Sequence, residues 1–252
     1  EYIEEFEKKF SAYCEKRFGI TTSSGAAALH LALLSLGIGK GDEVILPTLT
    51  FIATANAVHY TGAKPIFVDS HPRYWCIDPN KIEEKITQKT KAIIPVHLYG
   101  HPCEMDKIME IAEAHNLYVI EDAAEAHGAE YKGKKVGSFG DISCFSFYGN
   151  KIITTGEGGA CVTNNEELAE KMKILRDHAL LENKKYYHEE IGFSYRMTNL
   201  QAAIGLAQLE KISQFIKIKR ENARLYNLLL KDTPGVILPP EEPWAKNVYW
   251  MY

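Results

Sequence analysis

The stretch AIIPVHLYGHPCEMDKIMEIAEAHNLYVIED, residues 92–122, sets two short apolar runs, Ala92-Ile93-Ile94 and Tyr118-Val119-Ile120, on either side of one helical pattern. In that pattern Met105, Ile108, Met109 and Ala112 recur at the i, i+3, i+4, i+7 spacing of a helix with one apolar face, ending near Asn116. A short, nearly continuous apolar run is how a strand covered on both faces reads, and such strands pair in parallel through crossover helices. Working outward, Val44-Ile45-Leu46 and Ile66-Phe67-Val68 are further runs of this kind. Leu29, Ala32, Leu33 and Leu36 form another stripe, with Ser24 placed to cap its start and Gly37 just past its end. The alternation from about residue 24 to residue 164 predicts an α/β fold, a mostly parallel sheet with helices on both faces.

From Asn165 the pattern turns helical. Thr198 and Gln201 have capping-box spacing, and Leu200, Ala203, Ile204 and Ala207 predict a helix running to about Lys231, where Asp232-Thr233-Pro234-Gly235 breaks it. The closing run Tyr249-Trp250-Met251-Tyr252 reads as the middle of a strand. The chain starts at Glu1 rather than Met, and it reads as a fragment.

Composition excludes several classes. With 46% apolar and 25% charged residues the chain is neither disordered nor fibrous. A formal charge of -4 gives no pull toward nucleic acid, which is not an expected partner. The longest apolar stretch, Gly25 to Ile38, is interrupted by His30 and Ser35 and is too short to span a bilayer, so no membrane association is expected. Five cysteines, odd in number and without a CxxC pair, read as reduced packing residues of a cytoplasmic protein.

In an open α/β sheet, ligands sit at the carboxyl ends of the strands. Those positions hold Pro47-Thr48-Leu49-Thr50-Phe51, Val96-His97-Leu98-Tyr99-Gly100 and Glu121-Asp122-Ala123-Ala124-Glu125. Asp122, just past a buried strand, is either a helix N-cap or a carboxylate that needs a partner for its charge. Lys151, between the apolar run ending Ser146-Phe147-Tyr148 and the turn Gly156-Glu157-Gly158-Gly159, is either a surface lysine or an amine held where desolvation lowers its pKa, as imine chemistry requires. Ser23-Ser24-Gly25-Ala26-Ala27 is either a plain helix cap or a phosphate site built from free N–H groups and the helix dipole. Two motifs are set aside. Gly128 to Lys135 nearly matches a phosphate-binding loop, but Lys135 stands where Ser or Thr must bind magnesium. His97 and His101 are four apart, yet Gly100 and Pro102 forbid the helix that would aim both at one metal.

Taken together, Glu121-Asp122-Ala123-Ala124-Glu125, Ser146-Phe147-Tyr148-Gly149-Asn150-Lys151 and Thr154-Thr155-Gly156-Glu157-Gly158-Gly159, in this order, resemble the DegT/DnrJ/EryC1/StrS sugar aminotransferases, fold-type I enzymes dependent on pyridoxal phosphate. Pro47 to Phe51, Pro95 to Gly100 and Tyr195-Arg196-Met197-Thr198-Asn199 extend the resemblance over nearly the whole chain. It implies a seven-stranded, mostly parallel sheet, with residues 1–231 as the cofactor-binding large domain lacking a leading segment, and 232–252 as the start of a truncated small domain. It makes Lys151 the lysine that condenses with the cofactor and moves the proton, and Asp122 the partner of the pyridine nitrogen. Phe51 would stack on the ring, Gly25, Ala26 and Ser146 would hold the phosphate, and Glu125 would lie near the ring hydroxyl. Ser194 of a neighbouring subunit would approach the phosphate, which implies a homodimer.

Three positions depart from the family's habit. Ala26 replaces a Thr and keeps only the backbone donor, and Ser194 replaces an Asn. Glu125 replaces a Gln, which together with Gly149-Asn150-Lys151 most resembles the GDP-perosamine synthase branch. The resemblance thus implies transfer of an amino group from an amino acid, glutamate, to a GDP-linked 4-keto-6-deoxy sugar. Other nucleotide sugars, other ring carbons, or a silent sugar-nucleotide-binding relative stand as alternatives. A dehydratase branch has His in place of the lysine, and Lys151 argues against it.

Overall fold

The computed structural model describes residues 1–181, 184–188 and 190–252. Its main sheet has seven strands, β1 (Phe18–Thr22), β2 (Glu43–Pro47), β3 (Lys64–Val68), β4 (Thr90–Ile93), β5 (Tyr118–Asp122), β6 (Ile142–Ser146) and β7 (Gly159–Thr163). They lie in the order β1-β7-β6-β5-β4-β2-β3. Pairings from β6 across to β3 are parallel, while β7 runs antiparallel to both β1 and β6. The strand runs read from the sequence lie in β2, β3, β4 and β5.

Because side chains alternate along a strand, each strand feeds two cores. Val44, Leu46, Ala92, Ile120 and Cys144 go to one face, under α2 (Gly25–Ser35), α3 (Ala53–Tyr60) and α5 (Glu166–Arg176). Ile45, Ile93 and Val119 go to the other, under α4 (Met105–Ala114). On that second face Phe145 and Phe147 meet α1 (Tyr2–Tyr13), whose Phe10 ring lies edge-on to both at 4.9 and 5.0 Å. At the sheet edge the two-sided burial fails: Phe67 of β3 is 47% exposed. The elements α1 and β1 lie before the alternation read from about residue 24; in α1 charged residues surround the two rings it buries, Phe6 and Phe10, and mask its apolar stripe.

Two expectations are corrected. The long helix after Thr198 is two helices, α6 (Asn199–Leu209) and α7 (Ile212–Leu230). The capping box forms as read, but the chain leaves helical geometry at Lys211 (φ -106, ψ 1). The break lets each half bury its own stripe, Ala202, Gly205 and Leu206 in α6, then Ile212, Ile216 and Ala223 in α7. The run 249–252 is not a strand. Only Ala245–Lys246 joins a ladder, beside Glu130–Tyr131, which pairs in turn with Lys134–Lys135. Beyond it, the Val248 and Trp250 N–H groups donate to the carbonyls of Gly100 (3.1 Å) and Tyr99 (2.9 Å), drawing the segment onto the loop after β4. Gly100 permits this approach: its φ is +99, and a Cβ there would meet Val248 Cγ2 at 2.7 Å.

All five cysteines are free and buried. Among the described residues no helix is long and apolar enough to cross a membrane.

Candidate active site

β2, β5 and β6 end on the same edge of the sheet, and a cavity of about 370 Å³ opens there. Gly25, Ala26, Phe51, Asp122, Glu125, Ser146 and Lys151 all line it. Ser194 does not. It is exposed and pairs through its backbone with Asp177 instead.

The cavity has one end suited to an anion. Ser24 caps α2 by accepting the Ala27 N–H at 3.1 Å, and the helix start leaves the Gly25 and Ala26 N–H groups without intrahelical acceptors. Ser146, at the end of β6, lies so near that a Cβ on Gly25 would meet its Cβ at 2.8 Å and its Oγ at 3.2 Å. Helix N-terminus and hydroxyl therefore form a cradle that a larger residue would fill, which fits a phosphate. At the mouth, Phe51 is 70% exposed, an apolar ring with a free face for a flat ligand.

Deeper in, Asp122 is not the N-cap of a helix. Its carboxylate accepts from Thr54 Oγ1 at 2.7 Å and from the Ala124 N–H at 3.2 Å. Burial raises its pKa, and Thr54, Ala124 and the Lys151 charge only partly oppose that, so the site favours a cationic partner for it. Glu125 accepts the Tyr99 N–H at 2.7 Å, and burial pushes its carboxyl to about 7 against the pull of Tyr99 and Lys151. Burial lowers the Lys151 pKa while Glu125 and Asp122 draw it back up. Its Nζ sits 3.8 Å from the centroid of the Trp250 ring. A lysine with lowered pKa between two carboxyls in a cleft is the arrangement of a reactive amine. Sequence reasoning missed Thr54 and Trp250. Thr54 stands four residues past Thr50 on the entry to α3, whereas no spacing links Trp250 to Lys151.

The neighbouring carboxylate does different work. Glu121 points to the opposite face of β5 and accepts the N–H groups of Gly137, Phe139 and Gly140 at 2.8–2.9 Å and the Ser143 hydroxyl at 2.8 Å. His97, whose Nδ1 accepts the Cys103 N–H, carries its proton on Nε2 and donates it to Glu121 at 3.1 Å. Burial alone would raise the Glu121 pKa, but the His97 bond and the backbone donors outweigh it and hold the carboxyl at about 2. These contacts also give His97 a structural role, and His101 turns away to bond the Pro102 carbonyl and the Glu242 N–H.

A carboxyl with a depressed folded pKa adds stability above its unfolded value, near 4.3, and loses it as pH falls toward 2. Glu121→Gln is expected to cost about 3 kcal/mol at pH 7, since an amide turns a donor toward N–H groups. Denaturant melts of both proteins at pH 7 and pH 3 check this, and the gap should narrow at the lower pH. Equal melts at pH 7 would show that the network adds nothing.

A mostly parallel seven-stranded sheet that brings a lysine amine, a buried carboxylate and a helix N-terminus to one edge fits the class of pyridoxal phosphate-dependent aminotransferases. More narrowly, the chain belongs to the DegT/DnrJ/EryC1/StrS aminotransferase family, which it matches over residues 1–252. It is 54% identical over 250 residues to the GDP-perosamine synthase of Escherichia coli O157:H7, covering 99% of this chain and 68% of that protein. Over 252 residues it is 52% identical to the GDP-perosamine synthase of Caulobacter vibrioides, with 100% and 68% covered. Among solved structures it superposes on S. venezuelae DesV with a TM-score of 0.95 at 42% identity, covering 99% of this chain and 67% of that one. The NtdA protein of Bacillus subtilis, solved with bound cofactor PMP, superposes with a TM-score of 0.88 at 40% identity, covering 99% and 57%. The protein is thus a pyridoxal phosphate-dependent transaminase.

Proposed function

We propose that this transaminase takes an amino group from glutamate and delivers it to the keto carbon of a GDP-linked 4-keto-6-deoxy sugar, acting as a homodimer. The observation that carries the chemistry is the meeting of Lys151 and Asp122 in one cavity, 29 positions apart in the chain. The nucleotide and sugar rest on the likeness to two GDP-perosamine synthases at 54% and 52% identity.

Bound pyridoxal phosphate supplies the electron sink that lets a proton leave the carbon bearing the amine. The residues do the rest. The N-terminus of α2 and Ser146 would hold the phosphate, and Phe51 would cover one face of the ring. Asp122, braced by Thr54 and Ala124, would keep the pyridine nitrogen protonated. Glu125, poised near neutrality, would share a proton with the ring hydroxyl. Lys151 would release the cofactor to the amino donor, then take the proton from one carbon and return it to another. Ser194, exposed and not lining its own chain's cavity, would complete the phosphate site of a second copy.

Incubating the protein with pyridoxal phosphate, glutamate and a panel of GDP-, dTDP- and UDP-linked keto sugars, read by mass spectrometry, tests this. Amination of the GDP-linked 4-keto-6-deoxy sugar is expected. Amination of a dTDP- or UDP-linked sugar alone would overturn the choice of nucleotide, and amination of none by cofactor-loaded protein would overturn the sugar substrate.

A further inference from the structure

Trp250 reaches the cavity from a segment remote from every strand that builds it. Four contacts hold it there. Its backbone N–H donates to Tyr99 O at 2.9 Å, its carbonyl accepts from Lys219 Nζ at 2.9 Å, and its indole Nε1–H donates to Asn150 O at 2.7 Å. Its ring stacks on Tyr99 with centroids 6.3 Å apart. The Tyr99 N–H is in turn held by Glu125. The indole is thereby fixed at 7% exposure with its face beneath the Lys151 amine, 3.8 Å from Nζ to ring centroid.

The other ionisable groups around this amine are Asp122 and Glu125 from the end of β5 and beyond, Tyr148 on its own loop, Glu157 from the turn before β7, and His127. Burial holds His127 neutral, with its pKa pushed down to about 3. None of these acids forms a salt bridge with Lys151 among the described residues. The closest cation-binding feature the amine meets is an aromatic face, and an indole is the best of the aromatic faces for an ammonium.

We propose that Trp250 is a positioning residue for Lys151: its indole face holds the lysine as an ammonium, aimed into the cavity, while the cofactor is absent. The proposal rests on Lys151 being the reactive amine. It also assigns the indole a sign that a mere cover would not have. An aromatic face stabilises the charged amine and raises its pKa, whereas a group that only excludes water lowers it.

Trace acetylation of the cofactor-free protein with acetic anhydride across pH, with the Lys151 peptide quantified by mass spectrometry, reads the amine's titration directly. Trp250→Phe and Trp250→Leu both lose the bond to Asn150, and only phenylalanine keeps a π-face. Relative to wild type, the midpoint in Trp250→Leu is expected to fall by about one pH unit, and in Trp250→Phe by about half that or less. An unmoved or raised midpoint in Trp250→Leu would overturn the proposal, and so would equal shifts in both variants, which would place the effect in the Asn150 bond. Trp250→Met, unbranched and flexible enough to fill an irregular gap, makes the same comparison if the leucine variant does not fold. No cofactor enters this measurement. A failure of the transaminase reading shows separately, as wild-type protein that stays colourless with pyridoxal phosphate.

Discussion

Lys151→Ala is expected to leave the protein folded, colourless in the presence of pyridoxal phosphate, and without measurable transaminase activity. Lys151 supplies the only amine among the described residues that line the cavity, so no neighbour can take its place. On the proposed reading, its removal would delete both the covalent tether of the cofactor and the group that moves the proton. Positioned proton transfer alone contributes two to four orders of magnitude, so a loss of at least about 10⁴-fold follows. The fold should not suffer, because burial already works against the charged amine at this site. Absorption spectra with added cofactor, single-turnover assays and thermal melts check the three parts. A variant that keeps the visible band, or turns over at more than a small fraction of the wild-type rate, would show that another group carries the chemistry.

The second large effect belongs to Asp122→Asn. The amide has the carboxylate's shape: its oxygen can still accept the Ala124 N–H, and its NH₂ can donate to Thr54 Oγ1. The charge alone is lost. An ion pair at about 4 Å with an effective dielectric near 20 amounts to about 4 kcal/mol, and if most of it acts in the rate-limiting step, turnover falls by about a thousandfold. Because burial raises the Asp122 pKa, the charged carboxylate adds no stability to the cofactor-free protein at neutral pH. The neutral variant should therefore melt at the same temperature or slightly higher. The visible band should persist, since Lys151 is intact. A variant with a lower melting temperature and unchanged turnover would reverse both parts and make Asp122 a structural residue.

These two expectations separate adjacent carboxylates that look alike in sequence. Glu121 and Asp122 are consecutive at the end of one strand, and strand alternation sends them to opposite faces of the sheet. Only Asp122 was nominated from the sequence. The reason it differs from its neighbour became visible with the five donors gathered around Glu121 from His97, Ser143 and the backbone of residues 137–140. Those donors lie far from Glu121 along the chain, and no local pattern announces them. Similarly, the bond from Thr54 to Asp122 crosses 68 positions.

The sequence alone determined the alternation of strands and helices, the cap at Ser24, the capping box at Thr198, and the placement of Asp122 at the end of a strand. Each of these depends on periodicity, on turn chemistry, or on the position of a residue just past a strand, and such features are local. The tertiary structure alone decided that Trp250 lies beneath Lys151, that Glu121 is bound into a structural network, that Ser194 does not line its own chain's cavity, and that the helix after Thr198 divides at Lys211. All four depend on which distant segments the sheet brings together. Packing sets that through contacts between residues far apart in the chain, and the spacing of letters in one segment does not encode them.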